Sequence, residues 1–267
     1  MNIAELVEPA VALAKEAGDA ILEVYATDFD VQAKDDESPL TQADMASHRV
    51  IDKGLKALTP DIPIISEECG LPPFEERREW RTYWLIDPLD GTKEFVNRNG
   101  EFTVNIALID GNRPVLGVVH VPVSGKTYTG CDGVGAGVRE SDGSSRSIVV
   151  APKSAAPIRV VGSRSHRGAS LDAFLETLGE VEMLPMGSSL KFCVVAEGGA
   201  DIHPRLGLTS EWDTAAAQAV VEQAGGAVLE LDGKPLAYNA KEDILNPHFL
   251  VRGPEDHDWL ELLAAAG

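Results

Sequence analysis

Two aspartates, Asp87 and Asp90, stand three residues apart in the run Trp84-Leu85-Ile86-Asp87-Pro88-Leu89-Asp90-Gly91-Thr92. The apolar residues before Asp87 predict a buried strand that ends on a carboxylate. Pro88 lacks an N–H and cannot continue an inner ladder, so a turn is expected there. Gly91 tolerates dihedrals that other residues avoid. Such a turn would bring Asp90 back to the side of Asp87. Carboxylates held that close repel, and one takes up a proton unless a cation lies between them. Hard oxygen donors of this kind suit Mg²⁺. The N–H groups of Gly91 and Thr92 can open a short helix, and a helix start cradles phosphate. An isolated D-x-x-D-G-T run is more often a capped turn. The Pro and Gly bracketing the acids after a strongly apolar strand weaken that plain reading.

Three further acidic places deserve weight only in combination. Glu67 and Glu68 follow the apolar run 62–66, and by themselves read as solvated surface acids. Asp213 precedes Thr214-Ala215-Ala216-Ala217 and reads equally well as a helix N-cap. Thr41 and Asp44 alone look like a helix start. Lys191 reads as a solvated lysine on a helix, and Arg205 after Pro204 has the same plain reading. His48, His120, His248 and His257 share no spacing and receive no role. Cys193, among Phe192, Val194 and Val195, reads as core. Gly133, Gly135 and Gly137 fall between strands, which disfavours a dinucleotide-binding loop.

The elements that must hold these acids are legible as patterns. Leu6, Ala10, Leu13, Ala17, Ile21 and Val24 give a helical period over residues 5–25. Residues 33–44 read as a loop and 44–58 as a second helix. Residues 62–66 and 83–86 read as short buried strands. Residues 102–109 and 114–123 flank Asp110-Gly111-Asn112, a hairpin signal, and 126–130 extend that sheet. Beyond 150, a strand near 158–163 is followed by helices near 169–178, 188–197 and 212–224. Strands near 227–231 and 248–253 close the chain. A boundary near residue 150 divides an N-terminal α+β half (1–150), carrying most of the candidate acids, from a C-terminal α/β half (151–267) that contributes Asp213.

Composition narrows the function. The 267 residues include 43 Asp+Glu against 23 Lys+Arg, a formal charge of −20. That surface repels nucleic-acid polymers and anionic membranes. It also repels phosphorylated metabolites, unless something positive stands in the site. Three cysteines without a C-x-x-C argue against a disulfide framework or zinc cluster, and free thiols fit the cytoplasm. No signal peptide and no 18-residue apolar run are visible, which argues against membrane insertion.

The acidic places, in their order along the chain, resemble the lithium-sensitive, magnesium-dependent phosphatases of the inositol monophosphatase superfamily. The likeness is carried by KDDESPLTQAD (34–44), SEE (66–68), YWLIDPLDGTKEFVNRNGEFTVNIALI (83–109), SRSH (163–166), SSLKFCVVAEGGADIHPR (188–205) and WDTAAAQAVVEQAGG (212–226). Lys93-Glu94-Phe95 after the threonine, and PLAYNAKEDILNP (235–247), resemble the bisphosphate-nucleotidase branch more than the inositol phosphatases. His203 is a departure, standing where an aromatic residue is expected before Pro204-Arg205; no functional consequence is attached to it.

The resemblance implies an α+β fold, a layered αβαβα sandwich of the lithium-sensitive sugar-phosphatase type. It implies two or three Mg²⁺ held by Glu67, Asp87, Asp90, Asp213 and the Leu89 carbonyl. Gly91 and Thr92 would bind the scissile phosphate, and Asp44 with Thr92 would orient the attacking water. Ser188, Lys191 and Arg205 would face a nucleotide, with Arg164 and His166 as further contacts. Glu67, Leu89, Asp90 and Asp213 would border the same substrate. The implied reaction removes the 3′-phosphate of adenosine 3′,5′-bisphosphate, and of 3′-phosphoadenylyl sulfate as a second substrate. It proceeds without a phosphoenzyme and clears a by-product of sulfate activation. The relatives include monomers and dimers. A cytoplasmic place is expected, with room for attachment at the inner membrane face. The alternatives are inositol 1-phosphate or fructose 1,6-bisphosphate hydrolysis in the same site, and a non-enzymatic acidic cation binder. An aspartyl-phosphate route through Asp87 ranks low, because such enzymes space their aspartates D-x-D. No D-x-[DN]-x-[DN]-G calcium loop is present.

Overall fold

The computed structural model describes residues 2–27, 39–163 and 169–265. A 3₁₀ turn (Ile3–Leu6) leads into α1 (Val7–Tyr25). Ala10, Ala14, Ala17 and Ile21 recur every three or four residues and are fully buried, the apolar stripe the period requires. Helix α2 (Pro39–Leu58) packs on α1. It starts five residues before the expected Asp44, because a proline's fixed φ suits a first helical turn. Thr41 and Asp44 therefore lie inside the helix and not ahead of it.

Next come β1 (Ile64–Ser66), α3 (Phe74–Arg77), β2 (Thr82–Asp90), α4 (Thr92–Val96), β3 (Thr103–Asp110), β4 (Arg113–Val121), β5 (Lys126–Cys131), β6 (Gly135–Arg139) and β7 (Ser145–Ser147). The seven strands form one sheet in sequence order, with β1 parallel to β2 and the other pairs antiparallel. At the β3–β4 hairpin, Gly111 (φ 58) and Asn112 (φ 66) both take left-handed backbone, as a tight two-residue turn demands.

The expected turn at Pro88 is corrected. Strand β2 runs on to Asp90, and its pairing with β3 slips between Asp87↔Asn105 and Asp90↔Thr103. Three steps on β2 answer two on β3, so one extra residue is inserted there, as in a β-bulge. The consequence is geometric. In a regular strand, residues three apart face opposite sides. Here Asp87 and Asp90 stand opposite Asn105 and Thr103, which are two apart, so both acids share one face.

The remaining elements are β8 (Ile158–Gly162), α5 (Ala169–Leu178), β9 (Val181–Pro185), α6 (Leu190–Ala196), β10 (Ile202–Arg205), α7 (Glu211–Gln223), β11 (Ala227–Glu230), β12 (Phe249–Arg252) and α8 (Trp259–Ala265). Their strands make a second sheet in the order β11-β12-β10-β8-β9.

Alternation along the strands divides the interior into three apolar layers. Trp84, Ile86, Ile106, Leu108 and Val118 face α1 and α2. Tyr83, Leu85, Ala107, Ile109 and Val119 face α6 and α7, whose far sides meet Val161, Phe249 and Val251 of the second sheet. Val160, Ile202 and Leu250 meet Phe174 of α5 with Trp259 and Leu263 of α8. The stack is helix, sheet, helix, sheet, helix, the expected αβαβα sandwich. Helix α7 lies almost on the sheet backbone: a Cβ at Gly117 would stand 2.1 Å from the Ala216 carbonyl oxygen. Among the described residues no helix is long and apolar enough to cross a membrane, and nothing in them supports peripheral attachment.

Candidate active site

The bulge in β2 is held from two sides. Ser47 Oγ on α2 donates to the Pro88 carbonyl at 2.7 Å. The Leu89 N–H donates to Asp87 Oδ1 at 3.0 Å. Gly91 then ends the strand with φ 98, where a Cβ would also press on Phe102 and Ser188 at 3.2 Å. This left-handed residue turns the chain into α4, whose first N–H groups have no partner inside the helix.

Other elements bring the remaining acids to Asp87. Strand β1, parallel to β2, ends at Ser66, and the Glu67 N–H donates to the Ile86 carbonyl at 3.4 Å. Helix α7 starts at Ser210, with the Ser210 N–H donating to Asp213 Oδ2 at 2.9 Å. The N-cap expected at Asp213 is corrected: Ser210 is the N-cap, and Asp213, three residues on inside the helix, closes a capping box with it while its carboxylate reaches the acid cluster. Asp44 lies one turn before Ser47 on α2 and is buried.

The electrostatics show how tightly the acids are gathered. Asp87 is fully buried, and its carboxyl is pushed well above the usual range by desolvation and by the charges of Asp90, Glu67, Asp213 and Asp44. Desolvation, then Asp90, raises Asp213 to about 7. Desolvation, then Glu68 and Glu67, raises Asp44 to about 8. Glu67 is an exposed residue, yet its carboxyl tip is enclosed enough for desolvation to raise it, and it meets Asp87 closely enough to share a proton. Asp90 lines the cavity wall. Burial raises it, while the Lys191 charge and the Ser189 N–H, at 2.5 Å from Oδ2, pull it down.

A cavity of about 280 Å³ opens beside this cluster. Asp90, Gly91, Thr92, Ser188, Lys191, Arg205 and Asp213 all line it, which brings together residues 92 and 205 from opposite halves of the chain. Its lining is also cationic, through Lys191 and Arg205. Ser188 takes left-handed backbone (φ 44), and Lys191 Nζ donates to its carbonyl. Desolvation pushes the Lys191 ammonium down, against the pull of Asp90. Arg205 donates to the Leu208 carbonyl, and its buried Nε has no partner.

Some expectations are not met by contacts. Among the described residues no hydrogen bond joins Thr92 to Asp44. Arg164 and His166 lie outside the described residues. Residues given no role by sequence also belong here. Thr103 and Asn105 reach Ser189 Oγ at 2.9 Å each, which fixes the Ser189 N–H on Asp90. Their signal was visible as two polar residues at period two within an apolar strand. Glu101 Oε2 accepts the Gly187 N–H at 2.8 Å, and no sequence signal marks that pair. Phe192, His203 and Phe249 also line the cavity.

The donor set fits hard divalent cations. Five buried or enclosed carboxyls repel one another, and only positive charge or protons relieve them. Among the described residues no three of them form a ready-made cage. Asp90 and Asp213 accept hydrogen bonds from backbone N–H groups, and Glu67 meets Asp87.

Comparison with known proteins gives a consistent result. Residues 2–265 match the model of the Inositol monophosphatase family. The chain is 53% identical over 241 residues to the 3′(2′),5′-bisphosphate nucleotidase CysQ of Escherichia coli O157:H7, covering 90% of this chain and 96% of that protein. It is 50% identical over 248 residues to the protein of the same name from Salmonella typhimurium, covering 92% and 99%. The crystal structure of CysQ from Bacteroides thetaiotaomicron superposes with a TM-score of 0.86 at 39% identity, over 94% of this chain and 98% of that one.

Proposed function

The chain belongs to the inositol monophosphatase family, and from that premise we propose that it is a 3′(2′),5′-bisphosphate nucleotidase. Members of this family are metal-dependent phosphatases, usually with Mg²⁺. The substrate of this reading is a small phosphorylated nucleotide, adenosine 3′,5′-bisphosphate, which yields AMP and phosphate. 3′-Phosphoadenylyl sulfate is a second substrate of the same chemistry. One observation carries the reading: a single cavity beside the carboxylate cluster is lined both by acids, Asp90 and Asp213, and by cations, Lys191 and Arg205. A molecule with two phosphates can use both the cation-gathering acids and the two basic side chains, whereas inositol 1-phosphate has only one phosphate to offer.

In this reading Glu67, Asp87, Asp90, Asp213 and the Leu89 carbonyl hold two or three Mg²⁺. Those ions supply Lewis-acid activation of water and neutralise the phosphate. The N–H groups of Gly91 and Thr92 receive the scissile phosphate at the start of α4. Thr92 Oγ1 accepts a hydrogen bond from the attacking water and donates to Asp44. Burial, then the neighbouring Glu68 and Glu67 charges, raises Asp44 to about 8 and keeps it largely neutral near pH 7. Neutralising those charges lets it ionise and take that role. Ser188, Lys191 and Arg205 hold the second phosphate and orient the nucleoside. Free thiols at Cys69, Cys131 and Cys193 support the cytoplasmic placement, and the −20 charge opposes nucleic-acid polymers.

A phosphate-release panel tests the reading. With Mg²⁺, kcat/KM on adenosine 3′,5′-bisphosphate should exceed that on inositol 1-phosphate and fructose 1,6-bisphosphate by at least about tenfold. EDTA should abolish the activity and Li⁺ should inhibit it. Preference for inositol 1-phosphate would overturn the assignment.

A further inference from the structure

His203 is the residue that departs from the aromatic expected before Pro204-Arg205, and its surroundings give the departure a consequence. The side chain is 2% exposed and lines the cavity between Phe192 and Phe249, at ring-centroid distances of 5.6 and 6.3 Å. Its Nδ1 lies 2.9 Å from the Val161 carbonyl oxygen. A carbonyl only accepts, so Nδ1 carries the proton. Burial, reinforced by the nearby Lys191 and Arg205 charges, holds the imidazole well below its usual range and hence neutral. Nε2 is then a bare acceptor, and among the described residues it has no hydrogen-bond partner.

The two kinds of group at this end of the cavity therefore ask for different things. Lys191 and Arg205 donate and attract phosphate. A neutral imidazole whose only N–H is spent on the backbone cannot donate to a phosphate, and its lone pair repels one. It can take an O–H or N–H. The flanking phenyl rings exclude water and suit the flat face of a nucleoside.

We infer that His203 is a specificity-determining residue whose Nε2 accepts a hydrogen bond from a donor on the nucleoside of the substrate. The donor is either the exocyclic amine of the base or the ribose 2′-hydroxyl. This rests on the nucleotidase reading above, but it concerns recognition and not the reaction. A buried acceptor left unpaired penalises any analogue that lacks the donor, and one that presents an acceptor instead is penalised further.

The test compares kcat/KM for adenosine 3′,5′-bisphosphate, inosine 3′,5′-bisphosphate and 2′-deoxyadenosine 3′,5′-bisphosphate, with the native protein and with His203→Phe. The native protein should reject one analogue by about tenfold or more, chiefly in KM. Loss on inosine identifies the base amine as the donor, and loss on the deoxy compound identifies the 2′-hydroxyl. His203→Phe should bring the three substrates within about threefold of one another by raising KM for the parent, with kcat little changed. Equal use of all three by the native protein overturns the inference without any variant. So does discrimination that survives His203→Phe. A native protein inactive on the parent nucleotide under Mg²⁺ overturns the nucleotidase reading instead.

Discussion

The site joins an acidic set of side chains, its acid end, to a basic set, its basic end; the two are built on opposite principles. At the acid end, Asp44, Glu67, Asp87, Asp90 and Asp213 come from four different elements, and burial and mutual repulsion push their carboxyls up. At the basic end, burial pushes the charged forms of Lys191 and Arg205 down, while the Asp90 and Asp213 charges support them. The acid end thus stores repulsion that only added cations relieve. The basic end is supported by those carboxylates yet leaves the buried Arg205 Nε without a partner, and it suits an anion. The chain's charge of −20 is no obstacle to an anionic substrate when the local field is arranged in this way.

Breaking the acid end should give the largest effect and a paradoxical one. Asp90→Asn removes a charge that a cation needs, so kcat should fall by about 10²–10³-fold, the scale of losing one electrostatic stabiliser. The same change removes repulsion from metal-free protein, so its thermal midpoint should rise or hold. Phosphate release together with unfolding in EDTA checks both. A fall in both would mean that Asp90 is structural. At the basic end the pattern should invert. Lys191→Met should raise KM for the bisphosphate by about 10- to 100-fold with kcat nearly kept, because it removes binding and not chemistry. It should cost far less with a monophosphate substrate.

The acid end also fixes a pH signature. Asp213 at about 7 and Asp44 at about 8 lie above the value near 4 that they hold in an unfolded chain. Between pH 4 and pH 8 the folded protein therefore binds protons that the unfolded chain has released. Stability falls as pH rises wherever the folded state binds more protons. In EDTA the thermal midpoint should drop by at least about 3 °C from pH 5 to pH 8. Mg²⁺ at pH 8 should restore it, since a ligand of the folded state stabilises that state. A midpoint that rises over this range would show that the acids are not gathered as described.

The sequence was informative where spacing is itself the message. The helical period before residue 25, the Asp110-Gly111-Asn112 hairpin and the strand–carboxylate junction at 66 all lie in local pattern. Strands β9 and β10 and helix α8 did not, because each is short: the strands owe their place to the five-stranded sheet, and α8 to its packing with α5 against that sheet. The site shows the same division. A turn at Pro88 was the natural local reading, whereas the pairing with β3 instead keeps β2 extended and inserts a residue. That slip puts Asp87 and Asp90 on one face, a tertiary fact no local rule supplies. The role of Thr103 and Asn105 in holding Ser189 is likewise visible only after the sheet meets α6.

The smallest predicted effect asks whether the two ends are independent. Ser47 Oγ, fully buried, donates to the Pro88 carbonyl at 2.7 Å and so pins the bulge to α2. Ser47→Ala should cost about 1 kcal/mol of stability, the price of one buried hydrogen bond, and let the Asp87–Asp90 corner relax. That corner holds two of the proposed Mg²⁺ ligands and none of the groups proposed to bind the second phosphate. The Mg²⁺ concentration for half-maximal activity should therefore rise several-fold, while KM for the nucleotide at saturating Mg²⁺ stays within about twofold. A change in KM with no change in Mg²⁺ demand would mean that Pro88 positions the substrate. The division between a cation-gathering end and an anion-binding end would then be drawn in the wrong place.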